Sequence, residues 1–312
     1  MSTDMSYTTE EIAKLLKISK LTVYDLIKKG ELTSYRVGKQ MRVDASELEA
    51  YKQRARMVPA ADSYVPLHPQ ASGSAGPTGS VVITGHDIGL DILAKYMEKK
   101  IPGIRPLRSF VGSLDSLISM YKGEADIVST HLLDGDTGEY NIPYIRKILV
   151  GSSYIVVNLL IRNAGLYVQR GNPHGLTTWA DLGRSGLRLV NREKGSGARV
   201  LLEEQLRIHG IKPGQLAGYG NEQTNHLGVA AQIASGEADV GVGIEKTASI
   251  VGQIEFIPLT QERYDLVMLK TPGNQLWIPS LLQILQSDSF KKELQAISGY
   301  DLSRTGEILF ET

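Results

Sequence analysis

Hydrophobic and polar positions change rhythm twice along the chain. In TTEEIAKLLKISKLTVYDLIKKG (8–30) the apolar residues recur at helical spacing in two short runs split by a tight turn. Ile12, Leu15 and Leu16 form the first face. Leu21, Val23 or Tyr24, Leu26 and Ile27 form the second, and Ile18 plugs the turn. Thr8 or Thr9 is placed to cap the first helix, with Glu10 and Glu11 complementing its dipole. Ser19 caps the second, and Gly30 ends it. The period then drops to two in SYRVGKQMRVD, which predicts a hairpin whose turn carries Lys39 and Gln40 and whose flanks carry Arg36 and Arg42. Asp44 can cap a closing helix, ASELEAYKQR.

Residues 57–79, MVPAADSYVPLHPQASGSAGPTG, keep no apolar period. Pro59, Pro66, Pro69 and Pro77, with interspersed Gly and Ser, predict a flexible linker. From residue 80 onward, short runs of apolar residues rich in β-branched types alternate with helical patterns. VVITGHDIG, PLRSFVGSLDSL, ADIVSTHLL, SYIVVNLLI, GLYVQ, LRLVNREKGSGA, ADVGVGI, IEFIPL and YDLVMLK read as strands. Such alternation predicts an α/β fold with mainly parallel sheets. YKGEADIV and ASGEADVGVG share one form, a helix end, Gly-Glu-Ala-Asp, then a strand, which suggests two similar lobes. The expected domains are therefore 1–56, the linker 57–79, and a body over 80–312.

Composition narrows the function classes. The chain has no cysteine, which excludes disulfides, thiolate metal sites and thiol catalysis. Its start shows no basic segment followed by an apolar run, and no stretch approaches the length of a membrane span. These features place the expected protein in the cytoplasm, with no membrane partner. Net charge is zero, but residues 1–56 hold 11 Lys and Arg against 8 Asp and Glu, so a mildly basic head precedes a mildly acidic body. That asymmetry is compatible with nucleic-acid binding by the head.

The string KLTVYDLIKKGELTSYRVGKQMRVDASELEAY resembles the excisionase-type winged helix-turn-helix family, related to the MerR heads, over residues 6–54. The resemblance implies that the second helix enters the major groove of double-stranded DNA and that the wing contacts backbone or minor groove. The matching positions are Ser19, Lys20, Thr22, Tyr24 and Lys28 on the helix, and Arg36, Lys39, Gln40 and Arg42 on the wing. Tyr24 serves equally as a core residue.

In the body, polar residues gather where strands end and helices begin: TGHD (84–87), VGSLDS (111–116), STH (129–131), NREKGSGAR (191–199) and GVGIE (241–245). In an open α/β sheet such loops line one crevice, and helix N-termini there favour anions. The candidate ligand residues are Thr84, Gly85, His86, Asp87, Gly112, Ser113, Ser129, Thr130, His131, Asn191, Arg192, Ser196, Gly197, Arg199 and Gly243. Arg192 and Arg199 can add charge-assisted bonds, although Arg199 in a first helical turn can equally be solvated. GSGAR lacks the GK[ST] ending of a nucleotide phosphate loop. His86, His131 and His226 would need a carboxylate such as Asp87 or Glu245 to bind a metal, and no metal site is expected. No catalytic triad or carboxylate pair stands out, so an enzyme is not expected.

The strings TGHDIGLDILA, GEADIVSTHLLD, YVQRGNPHGLTTWADL, LVNREKGSGARVLLEE, TNHLGVAAQIASGEADVGVGI and FIPLTQERYDLV resemble the periplasmic-binding-protein-like superfamily in its cytoplasmic form. They are similar in particular to the subfamily fused to molybdopterin-biosynthesis proteins and molybdate-linked regulators. The resemblance implies two lobes joined by crossover strands near residues 154–168 and 256–268. Lobe one would cover about 80–155 and 269–312, and lobe two about 165–258. It also implies molybdate or tungstate as the small anionic ligand, with no resident cofactor. The combined expectation is a one-component regulator, homodimeric or a higher homo-oligomer, whose DNA binding responds to that ligand. The alternatives are a binding or enzymatic protein of pterin metabolism, and a transition-metal or carboxylate sensor.

Overall fold

The structure, a computed structural model, describes residues 6–16, 20–28, 32–37, 40–56 and 79–312. The chain divides into two compact units with the boundary between Ser72 and Gly73. Residues 57–78, which carry most of the Pro- and Gly-rich stretch, lie outside the described residues, as do Ile18, Ser19, Gly30 and Lys39.

The head runs β1 (Ser6–Thr8), α1 (Thr9–Leu16), α2 (Lys20–Lys28), β2 (Tyr35–Val37), β3 (Gln40–Asp44) and α3 (Ala45–Arg56). The Thr8 hydroxyl accepts from the Glu11 amide at 3.3 Å, and the Thr8 amide donates to the Glu11 carboxylate at 2.7 Å. This reciprocal capping box starts α1. The hairpin β2–β3 gains a strand that periodicity did not reveal, because β1 pairs antiparallel with β3. Ile12, Val23, Leu32, Val43 and Leu48 make the core. Val23, not Tyr24, is the inward residue of α2; Tyr24 stays exposed.

The body begins with β4 (Gly79–Thr84), α4 (Gly89–Lys100), β5 (Ile104–Ser109), α5 (Ser113–Tyr121), β6 (Ile127–Thr130) and α6 (Ile142–Ile148). It continues through β7 (Tyr154–Gln169), β8 (Leu189–Arg192), α7 (Gly197–Ile208), β9 (Glu222–Gln223), α8 (His226–Ala234), β10 (Val240–Ile244) and α9 (Glu245–Ala248). Then follow β11 (Ile254–Leu269), α10 (Pro272–Gln275), α11 (Ile278–Gln286), α12 (Asp288–Gln295), β12 (Tyr300–Asp301) and β13 (Ile308–Glu311).

The strands join in the order β5-β4-β6-β11-β7-β10-β8-β9, with β12 and β13 added to β7. The outer strands of each lobe are parallel, as crossover helices require, whereas β7 and β11 are antiparallel to each other and to β6 and β10. SYIVVNLLI and GLYVQ are thus not two strands but one of 16 residues, and IEFIPL and YDLVMLK likewise merge into β11. The polar link TQER stays in the ladder because its backbone pairs with β7, while register shifts at Pro258/Thr260 and Tyr264/Asp265 absorb the bend. The N-terminal half of β7 and the C-terminal half of β11 serve the first lobe; their other halves serve the second.

The two Gly-Glu-Ala-Asp strings occupy equivalent places. Asp126 accepts from the Val82 amide at 2.8 Å in the first lobe, and Asp239 accepts from the Arg188 amide at 2.9 Å in the second. Each carboxylate ties the strand it precedes to the neighbouring parallel strand. Separate apolar cores lie beneath the sheet's two ends, one holding Leu93, Leu160, Leu281 and Phe290, another Leu166, Leu189, Leu202 and Leu206. Leu160 is fully buried and Val150 largely exposed. Leu160→Ala should lower the unfolding free energy by about 2–5 kcal/mol, read by urea denaturation, whereas Val150→Ala should change it by no more than about 0.5 kcal/mol. Equal effects would contradict this placement of the core.

Candidate functional site

A cavity of about 620 Å³ opens between the lobes. Its floor is a set of buried charges on the two long strands. Arg162 of β7 points inward and donates to Asp87 at 2.6 Å and to Glu262 of β11 at 2.7 Å. All three side chains are almost completely buried. Asp87 also accepts from the Tyr300 hydroxyl and the Gly89 amide, both at 2.7 Å. Glu262 lies 3.0 Å from His131 Nδ1. Tyr264 completes the floor: the Arg162 guanidinium sits 4.6 Å from its ring centre, and His131 stacks on it at 5.1 Å.

Burial would raise the Glu262 carboxyl, but the Arg162 guanidinium and His131 outweigh that and hold it down at about 2. Burial likewise opposes the charge on Arg162, and its two carboxylates overcome the penalty and push its pKa upward. Burial pushes the Tyr264 hydroxyl up to about 12, with the Asp87 charge adding to it.

The walls come from both lobes. His86, Asp87, Ile88 and Phe110 face Thr224, Asn225, His226 and Leu227 at the start of α8, with Ile244, Lys246, Thr247 and Ile250 around α9. Arg192 and Ser196 close the remaining side. Burial, followed by the charge of Arg192, lowers the pKa of His86 and lowers that of His226 well below its ordinary value. Nδ1 of His226 is enclosed without a hydrogen-bond partner. Lys246 contacts the Tyr300 hydroxyl at 3.2 Å, and burial lowers its pKa despite the nearby Asp87. Arg192 is spanned by Glu193, at 2.7 and 2.8 Å, and by the carbonyls of Gln223 and Thr224. Among the described residues, no group of three or more His, Asp or Glu is placed to hold a metal ion.

Of the residues proposed from sequence, His86, Asp87, His131, Arg192 and Ser196 line this cavity. The others do not line it. Ser129 donates to the Thr84 carbonyl at 2.9 Å and meets the Tyr264 hydroxyl at 2.8 Å. Thr84 itself is buried, and Thr130 donates to Asn141 at 3.2 Å. Gly85 has a φ of 130°, and its amide donates to the Ser109 carbonyl, so it supplies a turn rather than an open anion seat. Ser113 accepts from the His131 amide at 3.3 Å.

The expected anion site at the start of α5 is occupied by the other lobe. The Leu114 amide donates to the Gly195 carbonyl at 2.9 Å, and a side chain at Gly112 would come within 2.8 Å of that oxygen. A side chain at Gly197 would strike the His131 ring, and one at Gly243 the Tyr167 ring. Asn191 bonds the Arg192 amide and the Tyr219 carbonyl. Arg199 lies on the buried face of α7, pairs with Glu203 at 2.7 Å and Glu222 at 3.1 Å, and covers the Tyr219 ring.

The residues missed were Arg162, which sits mid-strand, and the apolar Ile88, Phe110, Leu227, Ile244 and Ile250, which carry no polar signature. Lys246, Thr247, Thr224 and Asn225 were also missed. Asn225 carried a readable signal: it caps α8 by accepting from the Gly228 amide at 2.8 Å, a common role for Asn before an apolar helix.

In the head, Arg36 is exposed on the wing, and Tyr24 is exposed on α2. Lys20 is paired with Glu10. Arg42 donates to the Ser6 hydroxyl at 3.1 Å, so it braces β1 against β3. Thr22 and Lys28 fall on α2 and Gln40 on β3. Ser19 and Lys39 fall outside the described residues.

These features define a DNA-binding-type head on a two-lobed ligand-binding fold, and the comparisons with known proteins agree. The chain belongs to the PBP superfamily: the PBP superfamily domain matches residues 94–286, and a helix-turn-helix domain matches residues 6–56. It is 49% identical over 315 aligned residues to "Uncharacterized protein YvgK" of Bacillus subtilis (strain 168), with all of both chains covered. A Clostridium pasteurianum protein from the ferredoxin 2Fe-2S gene 5' region is 45% identical over 112 residues, 36% of this chain and 99% of that one. Among solved structures, a hydrogen-peroxide-bound cysteine-to-serine mutant of Corynebacterium glutamicum OxyR aligns over 93% of this chain and 89% of its own, at a TM-score of 0.52 and 12% identity. A mutant of the T. maritima ArgBP aligns over 70% of this chain and 95% of its own, at 0.51 and 13%. At such identities the likeness is one of fold. Among the described residues, no helix is long and apolar enough to cross a membrane.

The depressed Glu262 contributes stability that is fully present above its ordinary pKa of 4.5 and is lost as pH falls through about 2. The depressed His86 and His226 act in the same direction below 6.5. Glu262→Gln should therefore cost about 3–5 kcal/mol at neutral pH and leave a shallower loss of stability between pH 4.5 and about 2, measured by denaturant titrations across pH. An unchanged acid profile would contradict the ion-paired floor.

Proposed function

We propose that this chain is a one-component, ligand-responsive transcriptional regulator. Its head binds double-stranded DNA, and its inter-lobe cleft binds a small anion. One observation carries the reading: a helix-turn-helix head shares a chain with a cavity walled by both lobes. An occupant touching both lobes favours the arrangement that fits it best, and so shifts the balance of conformations available to the chain. A homodimer in the cytoplasm is the matching assembly, since one small head spans few base pairs. A binding role suits the floor better than catalysis, because both of its carboxylates are committed to Arg162.

The features that favour an anion are the partnerless Nδ1 of His226, Lys246, the Arg192 guanidinium and the start of α8. Backbone N–H groups at a helix start favour negative charge. Molybdate or tungstate, suggested by the family strings, is one such anion. The hydroxyls of Ser113, Ser129 and Thr130, which made a bare oxyanion attractive, already have partners within the protein.

Fluorescence-anisotropy titration of the full chain with DNA from the region upstream of its gene tests the DNA-binding half. Binding should be sequence-selective and weaken steeply with salt. Arg36→Ala should weaken it and reduce the logarithmic salt slope by about 1 if that side chain meets a phosphate. Binding no tighter than to random duplex, or an Arg36→Ala titration identical to wild type, would contradict the reading.

A further inference from the structure

The cavity has an uneven lining that the proposed function does not use. Four large apolar side chains stand at its mouth with much of their surface in water. Ile88 is 47% exposed and Phe110 65% on the first lobe; Leu227 is 49% and Ile250 64% on the second. Exposed apolar side chains gathered around one cleft, two from each lobe, mark a surface that is covered when the cleft is filled. The deeper part is polar. There Lys246 is the lining cation with no carboxylate within ion-pair distance among the described residues, since Arg162 and Arg192 are each matched by Asp or Glu. The enclosed Nδ1 of His226 has no partner either.

We propose that the ligand is a small organic acid, one carboxylate carried on an apolar body the size of a benzene ring or a short alkyl chain. This deepens the ligand half of the reading above and rests on it. Arg162, Arg192 and Lys246 are matched in number by Asp87, Glu262 and Glu193, and a site so evenly charged suits a single carboxylate on Lys246 better than a doubly charged inorganic oxyanion. The carboxylate takes the Lys246 ammonium and an N–H of His226, next to the start of α8. The body lies between Ile88 and Phe110 on one side and Leu227 and Ile250 on the other, and so removes apolar surface of both lobes from water at once. A volume of about 620 Å³ accommodates such a molecule, whereas a tetrahedral oxyanion leaves the apolar mouth uncovered.

The test is thermal shift followed by calorimetric titration on the full chain, with phenylacetate, hexanoate, acetate, phenylethanol and molybdate at equal millimolar concentration. A ligand of the native state raises the melting temperature. Phenylacetate or hexanoate should stabilise the body and bind at least roughly tenfold more tightly than acetate, phenylethanol or molybdate. Phe110→Ala, at an exposed position, should weaken the organic acid by about tenfold and leave acetate unchanged. Lys246→Gln should weaken the acid and not phenylethanol.

Stabilisation by molybdate alone, equal binding of acetate, equal binding of phenylethanol, or no response to either larger acid would each overturn the proposal. The DNA-binding reading fails separately. Tight acid binding by a chain that does not select a DNA site would leave this inference standing and remove the regulator. Selective DNA binding with stabilisation by molybdate alone would do the reverse.

Discussion

The body is built around the problem of holding Arg162 inside a sheet. A guanidinium cannot shed its charge, and burying one unpaired is prohibitively costly. The fold answers with two carboxylates from different parts of the chain, Asp87 at the turn before α4 and Glu262 on the antiparallel neighbour. Meeting that electrostatic demand pins the turn after β4 to the middle of the two long strands, where the lobes join. Tyr300 reaches the same Asp87 from the C-terminal segment and contacts Lys246 of the second lobe. Four distant stretches of sequence are thereby registered on one buried charge.

That arrangement also decides what the cleft offers. The floor holds two carboxylates to one guanidinium, so it shapes the cavity without calling for an anion of its own. Lys246 is left without an ion pair among the described residues, and burial together with the arginines lowers the pKa of His86 and His226. Nearer the mouth the walls turn apolar. On one flank the lobes already touch, with α5 spending its first-turn amide on Gly195 and His131 lying against Gly197. An occupant therefore enters beside α8 and α9, between surfaces belonging to different lobes.

Much of the fold was legible in the sequence because it is periodic. Alternating strands and helices, and the repeated Gly-Glu-Ala-Asp string, announce an α/β body, and the two short helical runs before residue 30 announce the head. The site was legible only where polar residues end strands, as at His86, Asp87, His131 and Arg192. The same rule does not sort Ser129 and Thr130, because a hydroxyl at a strand end serves an internal carbonyl or amide as readily as a ligand. Arg199 was ambiguous in sequence, since which face of a helix is buried depends on the neighbours that pack there. Arg162 was hidden by its position inside what reads as a crossover strand. Phe110, Leu227 and Ile250 were hidden because an exposed apolar residue has no signature until others from distant segments stand beside it.

The central claim is that occupancy of the cleft alters the chain's grip on DNA. Its most direct test is the DNA dissociation constant of the full chain, measured by anisotropy with and without saturating phenylacetate, in wild type and in Lys246→Gln. A ligand-dependent change is expected in wild type and should disappear in the variant. A wild-type affinity that does not change when the cleft is filled would contradict it.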